Sequence, residues 1–107
     1  VTIGIVDGRP VAFIGLERTG GVMVYDISNP EAPSFITYEP SFKGDISPEG
    51  LIYINEEDSP IGQALLVVTN EESGTFSVYQ PVPEPGTILG LLGGAAALFG
   101  IKRKRSA

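Results

Sequence analysis

The sequence predicts an all-β region followed by a single C-terminal membrane-spanning helix. Three observations predict it. Short β-branched and aromatic runs, separated by Gly- and Pro-rich turns, fill Val1 to Tyr79. No window before Pro85 carries helical periodicity. The end of the chain is an uncharged apolar run, Thr87 to Ile101, closed by Lys102-Arg103-Lys104-Arg105.

Taken in order, Val1 to Val6 alternates and is rich in β-branched residues, which reads as a strand. Asp7-Gly8 is a tight-turn dipeptide leading into the continuous apolar strand Val11 to Leu16. Glu17 to Gly21 turns the chain into the strand Val22 to Ile27. Pro30 and Pro33 bar helix from the next loop, and Ser34 to Tyr38 is a further strand. A polar loop through Gly44 to Gly50 precedes the strand Leu51 to Ile54. An acidic turn, Asn55 to Gln63, separates it from the strands Ala64 to Thr69 and Thr75 to Tyr79.

Two of these hairpins resemble each other. Glu17 to Tyr25 lies over Glu71 to Tyr79 at a spacing of 54, with Glu, Gly, Val and Tyr identical and Thr19 matching Ser73 in kind. Each copy follows an uninterrupted apolar strand. A buried strand, a Glu-x-Ser/Thr-Gly turn and an amphipathic strand, repeated at roughly 40 to 55 residues, is how β-propeller blades are written. The alternative is two chance-similar hairpins of a sandwich. Residues 1–81 supply at most two blades, where a closed propeller has about four to eight. The expected fold is therefore the last one or two blades of a β-propeller, ahead of a transmembrane helix.

The C-terminal segment, residues 82–107, falls into a motif (82–86), an apolar span (87–101) and a basic tail (102–107). As a helix the 15-residue span reaches about 23 Å, short of a hydrocarbon core of about 30 Å. Snorkelling by Lys102 and Arg103 and local bilayer thinning absorb the difference. The alternative, a buried core helix, is disfavoured because Ile88 to Ile101 shows no polar face at any helical spacing. Basic residues stay on the cytoplasmic side, so Lys102, Arg103, Lys104 and Arg105 would face the cytoplasm with residues 1–81 outside. Gly86, Gly90 and Gly94 form a small-residue stripe of the kind that pairs helices in membranes, a spacing that also arises easily in so Gly-rich a run.

Val82-Pro83-Glu84-Pro85, an apolar span and a terminal Arg/Lys cluster together resemble the PEP-CTERM sorting signal of Gram-negative bacteria. The resemblance implies recognition by an exosortase at the inner membrane, cleavage near Pro83, Glu84 and Pro85, and delivery to the cell surface or the exopolysaccharide matrix. The two prolines fix φ and disfavour helix before them, so Glu84 is presented on extended backbone. The stretches Val24 to Pro30, Asp45 to Gly50 and Val67 to Thr75 are similar to the last blades of the choice-of-anchor I propellers, bacterial surface proteins with varied C-terminal anchors. A chain with such a tail should carry a secretory leader, so the sequence is expected to be the C-terminal end of a longer protein.

Composition narrows the chemistry. The chain has no His and no Cys, which excludes His bases, thiolate nucleophiles and disulfides. Residues 1–86 carry Arg9, Arg18 and Lys43 against all 13 acids, a net charge of −10; the four basic residues of the tail bring the total to −6. So acidic an outer part repels nucleic acid and keeps an exported protein soluble. No catalytic set emerges. Asp45, Glu49, Asn70 and Glu71 form the best cluster of oxygen donors, of a type that suits Ca²⁺, although no EF-hand spacing accompanies them. Otherwise no cofactor is expected. Glu17 and Glu71 are better explained as acceptors for loop amides, and Glu56-Glu57-Asp58 as a solvated turn. The favoured function is a non-catalytic binding or structural propeller, sorted to the surface. The alternatives are a propeller-type hydrolase (phosphatase or phytase-like esterase) with its catalytic residues in the missing N-terminal part, and a permanently anchored membrane protein.

Overall fold

The structure, a computed structural model, describes residues 1–80 and the backbone of residues 100–104. It contains two four-stranded sheets, each an antiparallel meander in which sequence neighbours pair. The first runs β1 (Thr2–Val6), β2 (Arg9–Gly15), β3 (Val22–Asp26), β4 (Ser34–Glu39). The second runs β5 (Pro48–Ile54), β6 (Leu65–Asn70), β7 (Thr75–Gln80), β8 (Gly100–Lys104). A 3-10 turn, Glu56–Asp58, interrupts the acidic loop between β5 and β6.

The turns follow from the residues that make them. Val6 pairs with Arg9, so Asp7 and Gly8 form a two-residue hairpin loop. Both have positive φ, 51° and 77°, as a type I′ turn requires and as Asp-Gly provides at low cost. Glu49 is the extra residue of a bulge in β5, because Pro48 pairs with Asn70 while Gly50 already pairs with Thr69. That bulge starts β5 three residues earlier than its hydrophobic run predicts.

The two sheets pack face to face. Val6, Val11, Phe13, Val22 and Val24 from the first meet Leu66, Val68 and Tyr79 from the second in one buried cluster, with Leu51 and Tyr53 packed against it. The closest approach is at Gly4. A Cβ built there would run into the ring of Tyr53, so only Gly lets β5 settle on β1. The Tyr53 ring stacks on Phe13 at 5.3 Å, and its hydroxyl donates to the Ile5 carbonyl at 3.0 Å. Phe42, from the connection between the sheets, stacks on Tyr79 at 5.9 Å.

The outer faces are apolar too. Ile3, Ile5 and Phe35 on the first sheet, and Ile52 on the second, are each more than half exposed, while Val67 and Val78 beside Ile52 are half-buried. The continuous apolar strands of the sequence are thus apolar on both faces, with one face covered here.

The 54-residue repeat captures the unit but not its register. By strand pairing and burial, Val11, Phe13 and Gly15 of β2 correspond to Leu66, Val68 and Asn70 of β6, an offset of 55. Val22 and Val24 of β3 correspond to Thr75 and Ser77 of β7, an offset of 53. The connection between the strands is two residues shorter in the second copy. A one-residue slip reverses the face of every side chain, which is why Tyr79 is buried and its aligned counterpart Tyr25 is not.

The transmembrane helix expected over residues 87–101 falls mostly outside the described residues. Its last two, Gly100 and Ile101, are strand rather than helix, and Lys102 to Lys104 continue β8. Among the described residues no helix is long and apolar enough to cross a membrane. The motif Pro83, Glu84, Pro85 and the last basic residue, Arg105, lie outside the described residues.

Because the Tyr53 ring fills the space above Gly4, Gly4→Ala must displace it. The expected cost is about 1–3 kcal/mol, the usual range for overpacking a core, read as a lowered midpoint in denaturant. Unchanged stability would show that the sheets are not seated on each other at this point.

Candidate functional site

The polar residues singled out in the sequence separate into an inner network and an outer cluster. Asp45 lies on the connection from β4 to β5 and is 5% exposed. Thr75 Oγ1 donates to its Oδ1 at 2.6 Å and Ser77 Oγ to its Oδ2 at 2.8 Å. Each hydroxyl has spent its single proton on the carboxylate and can then only accept. Asn70 supplies both donors: its Nδ2 lies 3.3 Å from Thr75 Oγ1 and 3.1 Å from Ser77 Oγ. The direction of every bond is fixed by the carboxylate. Asn70, Thr75 and Ser77 meet because Asn70 pairs with Thr75 and Val68 with Ser77, so alternation puts all three on the inner face.

Further bonds tie the Asp45 segment to the β6–β7 turn. Ile46 N donates to Ser73 Oγ at 2.9 Å, Glu71 N to the Ser47 carbonyl at 2.9 Å, and Ser47 Oγ to Glu72 Oε2 at 3.1 Å. Ser47 takes a φ of 64° to make this pass, a conformation uncommon outside glycine.

Glu49 and Glu71, by contrast, are exposed. They join Glu17, with one carboxylate oxygen from each lying within 4.8 Å of the others. The bulge at Glu49 aims one, the β6–β7 turn carries the second, and the β2–β3 turn of the other sheet carries the third. The sequence pointed to Glu49 and Glu71 but grouped them with Asp45 and Asn70, which serve the interior instead. Glu17, a loop acceptor by its sequence context, stands with them, and its alignment with Glu71 in the repeat is the signal that both turns lie at one end of the stacked sheets. Three carboxylate oxygens are hard donors of the kind Ca²⁺ takes, though they fill only part of its usual six to eight positions.

Other acidic groups respond to burial. Desolvation raises the pKa of Glu39, on the inner face opposite Val22. Desolvation, then the neighbouring charges of Glu39 and Asp45, push Tyr79 up to about 12. Asp26 is lowered by hydrogen bonds from Ser28, with Arg9 3.4 Å away adding a smaller effect. A shallow groove of about 280 Å³ between β1 and the acidic loop is lined by Ile5, Tyr53, Asn55, Glu56, Glu57 and Ala64.

Comparison with known proteins places this architecture in two steps. Residues 81–105 match the PEP-CTERM protein-sorting motif. The chain thus pairs an all-β, two-sheet region with a sorting motif of the kind exosortases process, a motif that implies export and surface localisation by way of the membrane. It is also similar to Gigasin-3a of Magallana gigas, 27% identical over 99 residues, covering 72% of this chain and 35% of that protein. The chain spans about a third of its relative's length. No solved structure matches.

Asp45→Ala leaves two buried hydroxyls without their acceptor and is expected to cost about 3 kcal/mol, from the penalty for orphaned buried donors. Asp45→Asn should cost less, because one hydroxyl can turn to accept from the new amide. Equal losses in chemical denaturation would show that the charge itself, not the pairing, matters.

The outer cluster is tested by neutralising Glu17. In chelator, Glu17→Gln is expected to raise the melting temperature by relieving repulsion between like charges, and added salt should shrink the gain. A wild-type melting temperature that calcium raises, with no such rise in Glu17→Gln, would instead mark the three carboxylates as cation ligands.

Proposed function

We propose that this chain is the C-terminal part of an exported surface or matrix protein of a Gram-negative bacterium, whose tail is recognised and cleaved by an exosortase and whose β region is a non-catalytic binding or structural module of propeller type. The match of residues 81–105 to the sorting motif carries the reading. In it Pro83, Glu84 and Pro85 are the recognition and cleavage segment, residues 87–101 hold the chain in the inner membrane in transit, and Lys102 to Arg105 hold its end on the cytoplasmic side.

Two observations support the propeller. Each sheet is a four-stranded antiparallel meander, the form of a propeller blade. Each is also apolar on the face turned away from its neighbour, as a blade flanked on both sides must be. Gigasin-3a is nearly three times longer than the matched region, so the relative has room for more such sheets. The non-catalytic reading draws support from Asp45, Asn70, Thr75 and Ser77, the most buried polar groups of the region, which spend their hydrogen bonds on one another. A further part of the proposal is that the acidic module sits in, and organises, exopolysaccharide.

Replacing Pro83, Glu84 and Pro85 by Ala in the full-length protein is expected to abolish processing. Mass spectrometry of the surface fraction should find the wild-type chain ending near the motif, and the variant retained in membranes with Lys102 to Arg105 intact. An unprocessed wild-type terminus at the cell surface would overturn the sorting reading.

A further inference from the structure

We propose that the basic end of the chain is a removable fourth strand for the second sheet, and that docking on β7 and threading through the membrane are two exclusive states of the same tail. Antiparallel pairing runs from Gln80 opposite Gly100, through Val78 opposite Lys102, to Phe76 opposite Lys104. With β8 in place the second sheet has four strands, as the first has without help from the tail.

β7 has the character of an interior strand. Thr75, Ser77 and Tyr79 are each no more than 4% exposed, and β7 supplies both hydroxyls that bind Asp45. Left as an edge, it would present a row of unpaired amides and carbonyls, a template for pairing with any other strand. The strand also complements the rest of the chain in charge: the sequence of β8 holds three basic residues, and residues 1–80 hold three basic against 12 acidic residues, a net of −9. At low ionic strength that attraction draws the tail in, and salt screens it.

The two states cannot coexist. In the sheet, Lys102 lies one strand spacing, about 4.8 Å, from Val78. With residues 87–101 across a bilayer, the same two residues are separated by a hydrocarbon core of about 30 Å. The docked tail therefore protects the β7 edge before the chain reaches the membrane. Insertion pulls it off, and cleavage near the motif removes it for good. The second half of this inference rests on the sorting reading; the docking itself does not.

The chain has no Cys, so a pair can be introduced cleanly. Val78→Cys with Lys102→Cys, and separately Gln80→Cys with Gly100→Cys, place two thiols at paired positions, whose Cα separation of about 4.5 to 5.5 Å suits a disulfide. The full chain is made by cell-free synthesis without membranes and oxidised mildly. Both pairs are expected to cross-link within one chain about ten-fold more than a control pairing Glu31→Cys with Lys102→Cys, because docking raises the effective concentration. High salt should lower the yield, and inner-membrane vesicles should lower it further. Yields equal to the control, or disulfides joining two chains, overturn the docking. Vesicles containing exosortase should process the reduced variant and spare the oxidised one. Equal processing of both overturns the exclusivity, and an unprocessed reduced chain counts against the sorting reading alone.

Discussion

The buried carboxylate of Asp45 is the constraint on which the rest of the fold depends. It sits on the segment that leads from the first sheet to the second, and two hydroxyls of β7 donate to it. A carboxylate removed from water must be fully hydrogen-bonded or it costs several kcal/mol. Satisfying Asp45 therefore positions the connection against β7, and with it Phe42, which stacks on Tyr79. The bonds from Ile46 and Ser47 to the β6–β7 turn extend the same anchoring towards the bulge at Glu49. Where the sheets meet, and where the Glu17, Glu49 and Glu71 carboxylates converge, both follow from this attachment.

The seven strands before the tail were legible because each is a short β-branched or aromatic run bounded by turn residues, and the Asp7-Gly8 hairpin was legible from its dipeptide alone. What could not be read was register. The repeat aligns Tyr25 with Tyr79, but a connection two residues shorter in the second copy puts these tyrosines on opposite faces. The same difficulty hid the site. Asp45, Glu49, Asn70 and Glu71 are close in the sequence pattern, yet strand alternation turns Asn70 inward, the bulge turns Glu49 outward, and the β6–β7 turn leaves Glu71 in water. Thr75 and Ser77 looked like the polar side of an amphipathic strand. They are on the buried side, and only the partner that needs them, Asp45, explains why.

Burial of polar groups and exposure of apolar ones describe the same design. The inner interface spends part of its area on Asp45, Asn70, Thr75, Ser77 and Glu39, while Ile3, Ile5, Phe35 and Ile52 face outward. In an isolated pair of sheets this would be an expensive inversion, since outward apolar area gains nothing from the hydrophobic effect. In a stack that continues on both sides the inversion disappears: the outer faces become interfaces, and the polar network becomes the latch between one hairpin turn and the next. The same logic accounts for the acidic exterior, because the charged residues are concentrated in turns and loops at the rims, where a stack of sheets leaves them in water.

The tail brings two kinds of backbone satisfaction into competition. A peptide group in the bilayer must bond within its own helix, whereas a peptide group beside β7 bonds across a strand pair. The Gly-rich composition from Gly86 to Gly100 suits neither state strongly: each glycine costs a helix about 1 kcal/mol relative to alanine, and glycine weakens a strand by a similar loss of entropy. A segment so weakly committed can exchange partners without a large barrier in intrinsic propensity, and the environment then decides. Water and an unpaired sheet edge favour the strand at Gly100 to Lys104, and a bilayer favours the apolar span. A signal that docks on a sheet edge and then leaves it needs that kind of indecision in its sequence.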